Sequence, residues 1–240
     1  MSETSGTLYL VPTPIGNLAD LTRRAQEVLE SVDIVACEDT RHSGRLLKAL
    51  GLSKRLVSYH DFNEQSRADQ LIELIRQGQT VAVISDAGSP GIADPAYRIV
   101  RTAIESGITV IPLPGPTSII PALTASGLPT DRFFFEGFLP HKSGARRTRL
   151  GKLAEYDHTL VFFESPHRAV KSLEDILETL GDRPACLARE LTKLHEEFIR
   201  GTVAEILAQV GKKTIRGEIV LVVAGAAFMT ALRRKEHDRG

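Results

Sequence analysis

Ser85-Asp86-Ala87-Gly88-Ser89-Pro90-Gly91-Ile92-Ala93-Asp94-Pro95 is a stretch of small and turn-forming residues set between two apolar runs of different character. Before it, Thr80-Val81-Ala82-Val83-Ile84 is rich in β-branched residues and predicts a buried strand. After it, the apolar spacing of residues 96–104 predicts a helix with Asp94 as its cap and Pro95 at its first position. Strand, small-residue turn and helix N-terminus form the place where α/β proteins take ligands, beyond the carboxyl end of a strand. Gly88 and Gly91 let backbone approach a ligand closely, and Asp86 offers a fixed acceptor. A βα turn with no ligand has the same composition.

Upstream, Thr7–Val11 predicts a strand ending in Pro12-Thr13-Pro14-Ile15-Gly16-Asn17, a rigid non-helical loop. An amphipathic helix follows over residues 20–30, with Leu21, Ala25, Val28 and Leu29 on one face. Val32–Cys37 predicts a second strand. Glu38-Asp39-Thr40-Arg41-His42 at its carboxyl end is either a solvated loop or a reactive site. Leu56–Tyr59 predicts a third strand, with Asp61, Asn63 and Glu64 beyond it, and a helix covers residues 64–77. Downstream, Ile108–Leu113 predicts a strand ending in Pro114-Gly115-Pro116-Thr117-Ser118, before a helix over residues 119–125. Strand and helix alternate through residues 7–125, which predicts a mostly parallel sheet. Gly, Pro, Asp or Glu stands at four of its strand ends, on what would be one rim.

Gly127-Leu128-Pro129-Thr130-Asp131 predicts a linker, giving a first lobe of residues 1–126 and a second of residues 127–240. The second opens on Arg132–Pro140, a strand dense in phenylalanine. The basic segment His141–Arg149 follows, with no acid until Glu155. Its Lys142, Arg146, Arg147 and Arg149 form either the solvated face of a helix starting near Ser143 or a local positive surface for phosphates. Further strands are expected at residues 158–164, 185–191 and 218–225, with helices ending at Leu180 and spanning residues 202–210. A basic tail, Arg233-Arg234-Lys235, comes last.

Lys plus Arg equals Asp plus Glu, at 30 each, so no global charge draws nucleic acid, although a local basic face is enough to bind it. Cys37 and Cys186 lie in apolar runs and are expected to be free and buried. No signal peptide or span of ~20 apolar residues is read, which predicts a soluble cytoplasmic protein. Glycine-rich dinucleotide and P-loop fingerprints are absent, as is the serine-hydrolase elbow. The histidines lack metal-ligand spacing, so no metal is expected, and His167 and His195 read as solvated.

Thr13–Leu18, Glu38–Arg41, Ser85–Pro95, Pro114–Ser118 and Phe163-Glu164-Ser165-Pro166-His167-Arg168 recur together, in this order, in one family. On these motifs, residues 7–225 resemble the ribosomal small-subunit RNA methyltransferase I family, ribose 2′-O-methyltransferases of the tetrapyrrole methylase superfamily. The resemblance implies an α/β fold of two lobes with S-adenosyl-L-methionine in the cleft between them, usually in a homodimer. It also implies the substrate, a cytidine ribose in the decoding region of 16S rRNA, in the small ribosomal subunit.

Small residues at strand ends (Gly16, Gly88, Gly115) would let backbone groups cup such a cofactor. The expected contacts extend to Pro14, Asp86, Ser89, Ile92, Thr117 and Ser118, with Phe163 and Leu191 from the second lobe. A sulfonium methyl donor is already activated, so transfer needs in-line placement, and a base to deprotonate the ribose hydroxyl. Candidates for that base are Glu38 and Asp39 on the first lobe and Lys193, Glu196 and Glu218 on the second; the resemblance selects none. RNA contacts are expected from Arg41, Lys142, Arg146, Arg147, Arg149 and Arg168. Two other readings stand beside this one: a tetrapyrrole C-methyltransferase acting on a porphyrinoid, and a cofactor-binding module without catalysis.

Overall fold

The computed structural model describes residues 6–60, 64–212 and 215–237. Asp61, Asn63, the polar start through Ser5 and the side chains of Arg233 and Lys235 lie outside that description. The chain divides into two compact units, Met1–Thr117 and Ser118–Gly240.

In the first unit, β1 (Thr7–Leu10), β2 (Ile34–Cys37), β3 (Arg55–Ser58), β4 (Val81–Ile84) and β5 (Thr109–Pro112) form one sheet. Their order is β3-β2-β4-β1-β5 and every neighbouring pair is parallel, as the alternation predicted. Four helices cover it: α1 (Arg23–Ser31), α2 (Thr40–Ala49), α3 (Glu64–Arg76) and α4 (Ala96–Glu105). Residues two apart on the central strands go to opposite faces. Ile34, Ala36, Val81 and Val83 pack with Leu71, Ile75 and Ile99 of α3 and α4. Val35, Cys37, Ala82 and Ile84 pack with Leu29 of α1 and Leu47 of α2.

The path explains the two layers. From β1 the chain steps to β2 and β3 in one direction; β4 and β5 bring it back the other way. Right-handed crossovers then place α1 and α2 on one face and α3 and α4 on the other. The reversal falls between β1 and β4, neighbours in the sheet, and the space beyond their carboxyl ends is where sheets of this kind take ligands.

Two details differ from the sequence reading. Thr40–Ala49 is helix α2 rather than a polar strand end, started by Asp39, whose carboxylate accepts the Arg41 backbone N–H at 2.8 Å. The N-cap position of α4 is Pro95, not Asp94. The Asp94 carboxylate accepts from the N–H groups of Gly91 (2.7 Å) and Ala96 (2.9 Å) instead. A distant side chain completes the helix start. The buried Tyr59 hydroxyl accepts the Ile99 N–H and donates to the Pro95 carbonyl, both at 3.2 Å.

The second unit opens with α5 (Ile119–Thr124), which packs against the last strand of its own sheet. The division therefore lies before α5, and the Gly127–Asp131 stretch is inside the second unit. The sheet contains β6 (Phe133–Phe138), β7 (Thr159–Glu164), β8 (Pro184–Arg189), β9 (Glu197–Thr202) and β10 (Ile219–Val223), in the order β6-β7-β10-β8-β9. Only β6–β7 is parallel. Helices α6 (Ser143–Leu153), α7 (Ala169–Leu180) and α8 (Val203–Val210) supply its core with Leu150, Leu173, Ile176 and Ile206. A last helix, α9 (Ala226–His237), follows β10 and had no sequence counterpart. No helix among the described residues is long and apolar enough to cross a membrane.

Tyr59→Phe should leave the Ile99 N–H buried without an acceptor, at a cost of about 1–3 kcal/mol. Denaturant unfolding of the two proteins checks this, and equal stabilities would mean that Tyr59 is only a space-filler.

Candidate active site at the strand ends

The loops that follow β2, β4, β1 and β5 are stitched together in the order of their strands. Thr13 and Gly88, in the loops after β1 and β4, form an antiparallel bridge: each N–H reaches the other's carbonyl, at 2.9 and 3.0 Å. The buried Thr13 hydroxyl donates to the Ser85 carbonyl and the Ser85 hydroxyl to the Gly88 carbonyl, both at 3.0 Å. Ser89 Oγ donates to the Pro116 carbonyl in the loop after β5, at 3.1 Å. On the other side, the Asp39 N–H points to Asp86 Oδ1 at 3.4 Å. Gly115 lies so close to Pro12 that a Cβ there would stand 2.6 Å from the proline's own.

Glycine is required within this rim for its backbone. Gly88 has φ +84° and Gly91 φ +87°, in the left-handed region that side-chain-bearing residues rarely adopt. A Cβ on Gly91 would meet nothing within 4 Å, and one on Gly88 would touch only Ile15 and the Pro116 carbonyl. Pro14, Gly16, Asp86, Ser89, Ile92, Thr117 and the helix-capping position Ser118 all stand in these loops, beyond the same strand ends. Asp94 Oδ2 is buried there with no hydrogen-bond partner.

Of the rim carboxylates, Asp39 is fully engaged. It caps α2 and grips the Arg41 guanidinium at 3.0 and 3.2 Å, and those bonds pull its pKa down to about 2. Glu38 is half-buried at the end of β2.

The second unit carries Leu191, Lys193 and Glu196 in the β8–β9 turn and Glu218 just before β10. Lys193 Nζ lies 2.9 Å from Glu190 and 3.1 Å from Glu218. Burial disfavours the ammonium, but hydrogen bonds to these two carboxylates outweigh it and raise the pKa. Lys193 is therefore held between two carboxylates as a cation. Glu196 accepts the Thr192 N–H at 2.6 Å, and Leu191 is buried. Glu190 (φ +50°) and Thr192 (φ +68°) are both left-handed, and the Glu190 carboxylate fills the space a Cβ on Gly217 would need. Glu190 is not singled out from sequence: Lys193 is local, but Gly217 and Glu218 reach it only because β10 pairs with β8.

The basic segment departs furthest from expectation. Arg146 is a core residue: only 3% of its side chain is exposed, and it pairs with the equally buried Asp175 at 2.6 Å. It also donates to the Pro140 and His141 carbonyls, both at 3.2 Å. Arg147 pairs with Asp175 (2.6 Å) and Glu178 (2.5 Å), and Arg149 with Glu136 (2.5 Å). Arg168 is likewise tied to Glu164, at 3.2 Å, and to the Leu139 carbonyl. Five of the six expected RNA contacts are thus drawn into ion pairs, Arg41 through Asp39 on the first unit, leaving Lys142 exposed at the start of α6. Phe163 packs edge-on against Phe135 and Phe138, with ring centroids 4.8 and 5.5 Å away.

Residues 7–207 match the family model described as Tetrapyrrole (Corrin/Porphyrin) Methylases. A protein of Micromonospora olivasterospora named ribosomal RNA small subunit methyltransferase I is 53% identical over 223 residues, covering 92% of this chain and 71% of the relative. One of the same name from Escherichia coli is 53% identical over 226 residues, covering 93% and 79%. The chain belongs to the ribosomal RNA small subunit methyltransferase I family of the tetrapyrrole methylases. The fold agrees: a uroporphyrin-III C-methyltransferase of Thermus thermophilus, solved with S-adenosyl homocysteine, superposes with a TM-score of 0.63 at 23% identity, covering 94% of this chain and all of that one.

As a methyltransferase of this family the chain uses S-adenosyl-L-methionine, the cofactor expected from sequence. The first-unit rim suits it, with two left-handed glycines that leave room beside the backbone and a buried carboxylate oxygen still unpartnered.

The Arg146–Asp175 pair yields a stability prediction. Arg146→Met should cost about 3–5 kcal/mol by stranding a buried carboxylate. Arg147→Met, nearly half-exposed, should cost less than about 1 kcal/mol. Burial raises the Asp175 pKa, but hydrogen bonds from Arg147, Ser143 and Arg146 prevail and lower it. Its contribution is therefore complete above the ordinary carboxylate pKa, about 3.9, and is lost as pH falls below that value. Denaturation midpoints measured on both sides of that pH check it: Asp175→Asn should be weaker at neutral pH and show a flatter acid limb than the parent.

Proposed function

We propose that the chain transfers a methyl group to the 2′-hydroxyl of a cytidine ribose in the decoding region of 16S rRNA, acting in the cytoplasm as a homodimer on the small ribosomal subunit. The observation that carries the reading is the stitched rim at the β1/β4 reversal, in a chain whose relatives, matched over 92–93% of it, are named for small-subunit ribosomal RNA. S-adenosyl-L-methionine supplies a methyl already activated by its sulfonium. The rim would hold it through Pro14, Gly16, Asp86, Gly88, Ser89, Ile92 and Thr117.

These loops orient rather than react. Their backbone is fixed by buried hydrogen bonds, so little freedom is lost when a ligand settles on them. The remaining chemical task is removal of the ribose proton. Asp39, with a pKa of about 2, is a weak acceptor, and Lys193 is already protonated. We assign the role to Glu38, the carboxylate next to Asp39 on the same rim.

Labelled methyl donor offered to undermethylated small subunits and, separately, to a porphyrinoid tests the proposal. Label should enter RNA alone and, after nuclease digestion, appear as 2′-O-methylcytidine; label in the porphyrinoid or on a base would refute it. Glu38→Gln should lower the rate by about 10²–10⁴-fold with unchanged donor affinity. Gly88→Val should abolish donor binding in calorimetry, since valine at φ +84° forces the rim out of shape.

A further inference from the structure

Four arginines of the second unit are paired with acids, so clustered cations free to meet a polyanion are sought on another element. Helix α2 carries them. Arg41, Arg45 and Lys48 are exposed, while Ser43 and Leu47 face the core. At 100° per residue these three fall within about 60° of one another around the axis, and at 1.5 Å per residue they span about 10 Å along it. His42 is exposed beside them, and α2 itself contains no acid. Arg41 is held by Asp39; among the described residues neither Arg45 nor Lys48 has an ion-pair partner.

Position gives the stripe its meaning. Asp39, the cap of α2, is the residue whose N–H reaches Asp86 in the Ser85–Pro95 loop, so the cationic face begins at the rim and runs away from it. We infer that this face of α2 is an RNA-docking surface, on which Arg45 and Lys48 contact backbone phosphates of the strand flanking the target nucleotide. The inference rests on the ribosomal-RNA reading above and adds a surface to it. Charge complementarity selects the occupant: a row of three cations over about 10 Å, of which Arg45 and Lys48 are unpaired, matches successive phosphates, and each contact releases condensed counterions. An acidic protein would meet the same charges but would not give a linear dependence on the logarithm of salt concentration.

The test compares the parent with Arg45→Ser/Lys48→Ser, measuring methyl transfer to undermethylated small subunits at several salt concentrations and donor affinity by calorimetry. The double variant should keep the parent's donor affinity, which also shows that it is folded. Its KM for subunits should rise about tenfold or more, and its log–log salt slope should fall by about one to two units, about one per lost phosphate contact. RNA methylation with the parent's slope and KM would overturn the surface alone. Donor binding by both proteins with no RNA methylation by either would overturn the surface and the RNA reading together.

Discussion

The first unit depends on one pair of hydrogen bonds, those joining Thr13 and Gly88 across the loops that leave β1 and β4. The two strands are parallel neighbours whose chains depart to opposite faces, so nothing in the sheet obliges their loops to meet. They meet because Gly88, at φ +84°, turns the second loop back toward the first, and because Ser85 and Thr13 lock that turn with buried hydroxyl bonds. A donor or acceptor left open there would bear the full cost of burial, so the contacts form and break together. Ser89 and Gly115 extend the same lock to the loop after β5. The outcome is a continuous rim of fixed backbone where the fold would otherwise leave separate turns.

The second unit is organised by charge. Asp175 gathers Ser143, Arg146 and Arg147, and Glu164 gathers Ser165, Arg168 and Ser172. Asp175, on α7, ties α6 to that helix, and Glu164 ties the start of α7 to the end of β7. Buried ion pairs of this kind add little over an apolar pair of the same shape, but they penalise any packing in which one partner lacks the other. The Phe163–Arg168 motif therefore has a structural purpose alongside any functional one: its Glu164 accepts from the Ser165 N–H and the Arg168 guanidinium.

Much of this was legible in the sequence where the signal is local. Ile34–Cys37 and Val81–Ile84 are short apolar runs buried on both faces, and the small residues after each strand mark the rim. Helix α2 was hidden because Gly44 and a run of polar residues weaken its pattern, and its start depends on one Asp39 side-chain bond. β9 was hidden because Arg200 and Gly201 interrupt it, and its strand character comes from pairing with β8. Basic residues at 142–149 are easily read as free charge. Their acids, Asp175, Glu178 and Glu136, are distant in the chain, and only tertiary packing brings them near.

Within the rim, backbone strain falls in the Ser85–Pro95 loop. The Ser85–Pro95 loop is held at one end by the Thr13–Gly88 bridge and at the other by Tyr59, whose hydroxyl spans Pro95 and Ile99. Between these anchors lie Gly88, Gly91 and Ala93, all left-handed, and Asp94, which holds two N–H groups with one oxygen while the other stays unpartnered. Alanine at φ +61° is unfavourable, and a buried carboxylate oxygen without a donor is more so. Both persist because the anchors at either end over-determine the backbone. A loop relaxed at either anchor would shed this strain by collapsing onto its own hydrogen bonds. Held open, it keeps an acceptor and bare backbone poised at the strand ends, and a ligand that supplies the missing donor gains the stabilisation the folded chain forgoes.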